Sequence, residues 1–129
     1  MTLSAAALVL ALLIVLLVIN SGKVKKINLT NDDLKYHDIV GNYKTVYFDE
    51  NGRASYKIEY EVTPASLSDK VKFEYTKKQG ITVDDTGLVT FEAPEGVTEM
   101  SVKVKIVPKN GYGDTETAVT INAKRPLEK

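Results

Sequence analysis

The sequence predicts an all-β sandwich domain carried behind one hydrophobic α-helix of transmembrane type. Three observations predict it. Residues Leu3 to Ile19 hold no charge, no Gly and no Pro. The chain after them alternates apolar and polar residues over several short stretches, the period of a strand with one buried and one wet face. Asn, Asp, Gly and Pro separate those stretches, and these are the residues that turns require.

Twelve of the seventeen positions from Leu3 to Ile19 are Leu, Ile or Val. Each favours insertion at a helix centre by about 0.3–0.6 kcal/mol, an upper-bound sum of about 4–7 kcal/mol. As a helix the stretch covers about 26 Å. That is short but adequate against a hydrocarbon core of about 30 Å. A soluble helix apolar on all sides needs a large protein to bury it, and the β domain after this segment is small. Three membrane readings are open. A cleaved signal peptide should carry a basic n-region and a small-x-small site, and neither is present before Ser21-Gly22. An uncleaved single-pass anchor needs neither. The third reading is a pilin-like stalk packed against its neighbours inside a filament. Met1-Thr2-Leu3 before the apolar run is similar to the start of a processed type IV pilin. Ala5 stands where that family carries Glu, and the helix is expected to stop near Asn20. Archaeal pilins, with a short helix before a β-sandwich, are the nearer match. Ser4, Ala7 and Ala11 share one face of small residues, which permits close helix packing. Leu3, Ala7, Ala11, Ile14 and Leu17 are the positions expected to meet lipid or a filament core.

Lys23, Lys25 and Lys26 come after this segment and nothing basic precedes it. The positive-inside rule taken alone puts the C-terminal domain in the cytoplasm. The expectation is nonetheless an extracytoplasmic domain, with the lysines assigned to the first strand.

Composition bounds the rest. The chain has 129 residues, so one domain is expected after the anchor. The divisions are residues 1–22 for the helix and its exit, 23–124 for the sandwich and 125–129 for a polar tail. Seventeen basic residues balance seventeen acidic ones, without the basic excess of a nucleic-acid binder. Cys is absent, which removes disulfides and thiolate chemistry. Tyr outnumbers Phe, and Val, Ile and Thr are plentiful, a strand-rich usage.

Val24 to Leu29 reads as an edge-like first strand. Thr30 to Val40 stays ambiguous between a helical turn capped by Asn31, Asp32 or Asp33 and a polar loop. Tyr43 to Phe48 reads as a strand, and Asp49-Glu50-Asn51-Gly52 as a hairpin loop. The return strand alternates Tyr56, Ile58, Tyr60 and Val62 with Lys57, Glu59 and Glu61, and Thr63-Pro64 ends it. Val71, Phe73 and Tyr75 mark the next strand, and Lys77 to Gly80 turns the chain. Ile81 and Val83 lead through the tight turn Asp84-Asp85-Thr86-Gly87 to the partner strand Leu88 to Phe91. After a loop from Glu92 to Thr98, Met100, Val102, Val104 and Ile106 alternate inward. Asn110 to Asp114 turns, and Thr117, Val119 and Ile121 form the last inward face. About seven strands at this spacing predict an immunoglobulin-like sandwich.

The segment from Tyr56 to Ala123 resembles bacterial Ig-like domains of group 2, the invasin/intimin-like type. Val62-Thr63-Pro64 precedes the hydrophobic strand Val71 to Tyr75. Ile81 to Thr90 matches the family's val-asp-x-x-gly-x-val-thr hairpin, and Val102 to Ile106 and Val119 to Ile121 close the domain in the usual order. Phe73 stands where the family commonly has Trp. The resemblance implies a binding or spacer module outside the cytoplasm, and it brings no catalytic residues.

Candidate chemistry is sparse. Asp32/Asp33, Asp49/Glu50 and Asp84/Asp85 all fall in turn-like stretches, where Asp serves backbone hydrogen bonding. His37 is the only histidine, and with no Cys a nucleophile, base and orienting group cannot be assembled. Its expected role is structural. Tyr112, at a glycine-rich loop tip, is the aromatic most suited to a partner contact, the alternative being packing on its own sheet.

The expected function is a non-catalytic, membrane-anchored Ig-like interaction or structural module, an accessory subunit of a cell-envelope or surface complex. The alternative is a pilin-like structural subunit of an extracellular filament. The partners implied are membrane lipid or neighbouring hydrophobic helices, with an unknown protein or copies of the same chain. No cofactor, metal or nucleic acid is expected.

Overall fold

A computed structural model describes residues 22–126 of the chain. The hydrophobic segment, with Leu3, Ala7, Ala11, Ile14 and Leu17, lies outside the described residues. Among those described, no helix is long and apolar enough to cross a membrane.

The described chain is all-β. Its strands are β1 (Lys26–Leu29), β2 (Lys35–His37), β3 (Gly41–Tyr47), β4 (Arg53–Lys57), β5 (Tyr60–Thr63), β6 (Val71–Glu74), β7 (Ile81–Val83), β8 (Leu88–Glu92), β9 (Glu99–Pro108) and β10 (Thr117–Lys124). A single 3-10 turn, Ala65–Leu67, comes after β5. One sheet has the order β2-β3-β10-β9-β6. A second has the order β4-β8-β7, and β1 and β5 pair as a two-stranded ribbon. All pairings are antiparallel except β3 with β10, which run parallel with Tyr43 opposite Thr120 and Tyr47 opposite Lys124.

Period-two alternation builds the core. Val102, Val104 and Ile106 of β9 stand opposite Ile121, Val119 and Thr117 of β10. The five apolar residues among these six are buried. From the β4-β8-β7 sheet come Ile81, Val89 and Phe91. Ile27, Ile58 and Val62 join them in the same apolar cluster. Lys103 and Lys105 alternate outward to water, so each strand keeps one dry face.

Three expectations change. The described strands number ten rather than about seven. Part of the excess comes from the expected strand Tyr56 to Val62, which is interrupted at Ile58 and Glu59. There the Ile58 N–H donates to the Gly87 carbonyl, while the Glu59 N–H donates to Asn31 Oδ1 at 2.7 Å. The chain therefore leaves β8 as a partner and takes up β1. Asp49 to Gly52 is a turn, closed by the Asp49 N–H on the Arg53 carbonyl at 2.8 Å, yet it makes no hairpin. β3 joins β10, β4 joins β8, and the turn carries the chain from one sheet to the other. Turn chemistry reverses the chain without choosing its partner. The stretch Thr30 to Val40 forms no helical turn and instead contributes β2. Lys124 ends β10 opposite Glu99, and the Arg125 N–H still donates to the Thr98 carbonyl.

Candidate interaction surface

The exposed apolar side chains concentrate at one turn. β2 and β3 pair antiparallel, with His37 opposite Gly41, and Asp38, Ile39 and Val40 make the connection. The Ile39 N–H donates to His37 Nδ1 at 3.1 Å, so the histidine shapes the turn. Gly41 takes φ +84° at its far side. Ile39 is 88% exposed, Tyr36 69% and Val40 50%. β2 is the outermost strand of its sheet and is three residues long. Nothing in the described domain reaches over it to cover the tip.

The ladder fixes which end of the domain this tip occupies. β3 starts beside the early residues of β10 and runs with it toward Lys124. The start of β10 lies against β1, since the Thr117 hydroxyl donates to the Ile27 carbonyl at 2.6 Å. Just upstream, the Val24 N–H donates to the Tyr112 carbonyl at 2.7 Å. The β2–β3 tip is therefore at the end where the chain enters the domain. Behind it, His37, Val40, Tyr43 and Asn122 line a shallow cleft of about 260 Å³. Tyr43, Thr45 and Tyr47 point outward from β3 beside Thr120, Asn122 and Lys124. Tyr47 is 60% exposed at the opposite end.

Tyr112 lies at the entry end as well. It is partly buried against the core, and Lys70 Nζ sits 5.4 Å from its ring centroid, within cation–π reach. Its carbonyl holds Val24, so its clearest contribution is to seat the first residues of the domain.

The titratable groups with shifted ionisation are tied to local structure. The Tyr56 hydroxyl donates to Asp33 Oδ1, and Lys44 Nζ lies 3.2 Å from Asp33 Oδ2. The Tyr56 bond, aided by Lys44, holds the Asp33 carboxyl below its ordinary range. Burial first, and the Asp33 carboxylate second, push the Tyr56 phenol above its own. Burial likewise raises Tyr60, whose ring meets Phe73 edge-on at 5.5 Å. Asp84 is lowered chiefly by the Thr86 hydroxyl, then by the backbone N–H groups of Leu88 and Thr86. Asp49 does the same turn work, its Oδ1 accepting from the Asn51 and Arg53 N–H groups. Among the described residues no group of three or more His, Cys, Asp or Glu is placed to hold a metal.

Tyr36, Ile39 and Val40 escaped the sequence reading. Their only signal is an apolar pair between Asp38 and Gly41, too short for a period. No protein family, curated protein or solved structure matches the chain.

Proposed function

We propose that the protein is a non-catalytic, membrane-anchored module. In this reading Leu3 to Ile19 lie in the bilayer and an immunoglobulin-like sandwich stands directly on the lipid surface, as an accessory or interaction subunit of an envelope complex. The observation that carries it is the shortness of the tether. Val24 is already buried and bonded to Tyr112, and only Asn20 to Lys23 separate it from the uncharged segment. Four residues span at most about 14 Å, so a domain so attached cannot leave the surface that holds the segment.

Support for the sandwich comes from chain path. β4 and β5 act as one interrupted strand that pairs first with β8 and then with β1, while β3 runs parallel to β10 in the other sheet. The likeness to group 2 bacterial Ig-like domains draws on the β7–β8 hairpin. Its turn is closed by the Asp84 N–H on the Leu88 carbonyl at 3.1 Å. An extracytoplasmic domain is favoured because two of the three basic residues after the segment belong to the fold. Lys26 lies in β1, and the Lys25 N–H donates to the Thr63 carbonyl. They are not a free topogenic loop. Protease added to intact cells should then digest the domain, and complete protection would place it inside.

The second reading, a filament subunit, draws on the small face of Ser4, Ala7 and Ala11. Electron microscopy of a sheared fraction, beside a separate detergent extraction, separates the two. Recovery only in detergent supports the anchored module. Sheared filaments containing this chain would replace that reading with the filament subunit.

A further inference from the structure

We propose that the β2–β3 tip, Ile39 and Val40 with Tyr36 behind them, is a membrane-contact element that seats in the lipid headgroup and acyl boundary beside the anchor. This rests on the anchored reading above and specifies which surface of the domain faces lipid.

Three independent observations meet at this tip. The first is exposure: Tyr36, Ile39 and Val40 fall within five residues and are all half-exposed or more. Soluble surfaces carry scattered apolar residues singly, and a run of this kind on an outermost hairpin marks a contact. The second is position. The parallel β3–β10 ladder and the Thr117 and Val24 hydrogen bonds put the tip at the entry end of the domain. The tether from Ile19 holds that end within reach of the surface. The third is chemistry. Lys23, Lys25, Lys26 and Lys35 are exposed in the same part of the chain, as are Asp32, Asp33 and Asp38, of which Asp33 is paired with Lys44. An apolar tip with a tyrosine and flanking lysines is the composition that interfacial elements use, with rings at headgroup depth and ammonium groups on lipid phosphates. Lipid is chosen over a protein groove or a second copy because, on the anchored reading, the tether already holds this end of the domain at the lipid surface.

The chain has no Trp, so one introduced Trp is a unique reporter. Full-length protein carrying Ile39→Trp is reconstituted into vesicles of phosphatidylcholine and phosphatidylglycerol, with or without bromine on the acyl chains. Bromine quenches only a ring that reaches the acyl region. Tyr47→Trp reports the opposite end of the domain, and Ile14→Trp reports the anchor. Val40→Trp is a second reporter for the tip. The expected result is blue-shifted emission at Ile39→Trp and Val40→Trp, most of it lost in brominated vesicles, with Tyr47→Trp water-like and unquenched. If Ile14→Trp is quenched while both tip reporters stay water-like, the anchor stands and the tip proposal is overturned. If Ile14→Trp is also unquenched, both readings fall. A tip that is blue-shifted but unquenched, with a shift that grows with the protein-to-lipid ratio, would assign the tip to contact between copies and overturn the lipid proposal.

Discussion

Replacing Gly80 with Ala should destabilise the domain far more than the same change at Gly96. Both glycines adopt φ +83°, so both variants carry the left-handed strain of an L residue, about 1–2 kcal/mol. Loss of unfolded-state freedom offsets about 0.4–1 kcal/mol of that in each. At Gly96 nothing lies within 4 Å of the added carbon, so the net cost stays near about 1 kcal/mol. At Gly80 the added carbon would sit 2.3 Å from the Glu92 carbonyl oxygen and 2.9 Å from Met100 Cε. The methionine end can swing away, but the carbonyl belongs to the backbone of β8. Moving it breaks the bond from the Glu92 N–H to the Gly80 carbonyl, now 2.7 Å, worth about 1 kcal/mol. Forced repacking adds about 1–3 kcal/mol. The expected totals are about 3–5 kcal/mol for Gly80→Ala and about 1 kcal/mol for Gly96→Ala. Urea unfolding of the full chain in mild detergent, monitored by tyrosine fluorescence, measures the gap. Equal stabilities, within about 0.5 kcal/mol, would show that the close approach of residue 80 to β8 is not what holds this corner.

The same geometry has other consequences. Asn31→Ala removes the donor to the Lys57 carbonyl and the acceptor for the Glu59 N–H. It should cost about 1–2 kcal/mol and speed hydrogen exchange at Glu59, whereas unchanged exchange would mean that water replaces the amide fully. Phe91→Ala empties the most voluminous of the fully buried positions and should cost about 3–5 kcal/mol by urea unfolding. Asp33 and Asp84 have lowered carboxyl pKa values, so their contribution is complete above the unfolded value near 3.8 and fades as pH falls through the folded values. The double variant Asp33→Asn/Asp84→Asn should flatten the stability loss below that pH, and an unchanged acid limb would refute the assignment. Tyr56 has a raised phenol pKa, so its contribution is intact below about pH 10 and declines above it. Tyr56→Phe should remove that alkaline decline in a stability–pH series.

Elements defined by local signals were legible in the sequence. β9 and β10 alternate over ten and eight residues, long enough for the period to identify the buried face. The β7–β8 hairpin was legible because Asp84 and Gly87 act within the turn itself, Asp84 Oδ1 taking the N–H groups of Thr86 and Leu88. What depended on distant partners was not. Tyr43 pairs with Thr120 across most of the chain, and no local pattern announces a parallel neighbour. The break at Ile58 and Glu59 keeps the alternation intact, so it leaves no trace in the periodicity. Its repair comes from Asn31, twenty-eight residues upstream. The β2–β3 tip was hidden for a related reason: a strand of three residues is shorter than the window in which alternation can be counted.

The same shortness argues for the tip over the sheet edges as the surface that meets other matter. A sheet edge is a template of unpaired N–H and C=O groups, and proteins blunt it with short strands and charges. The five-stranded sheet is bounded by β2 and β6, of three and four residues, while its interior strands β9 and β10 are two to three times longer. β2 carries Lys35 and His37, and β6 carries Lys72 and Glu74. An added strand would find three or four residues to pair with and charges on the way in. That is too little for stable augmentation, since even a two-stranded hairpin is marginal alone. The turn between β2 and β3 carries one charge, Asp38, beside the exposed Ile39 and Val40. On the anchored reading proposed above, a chain that blunts both edges of this sheet and leaves Ile39 open to water keeps its apolar tip at the end that the short tether would hold near the membrane.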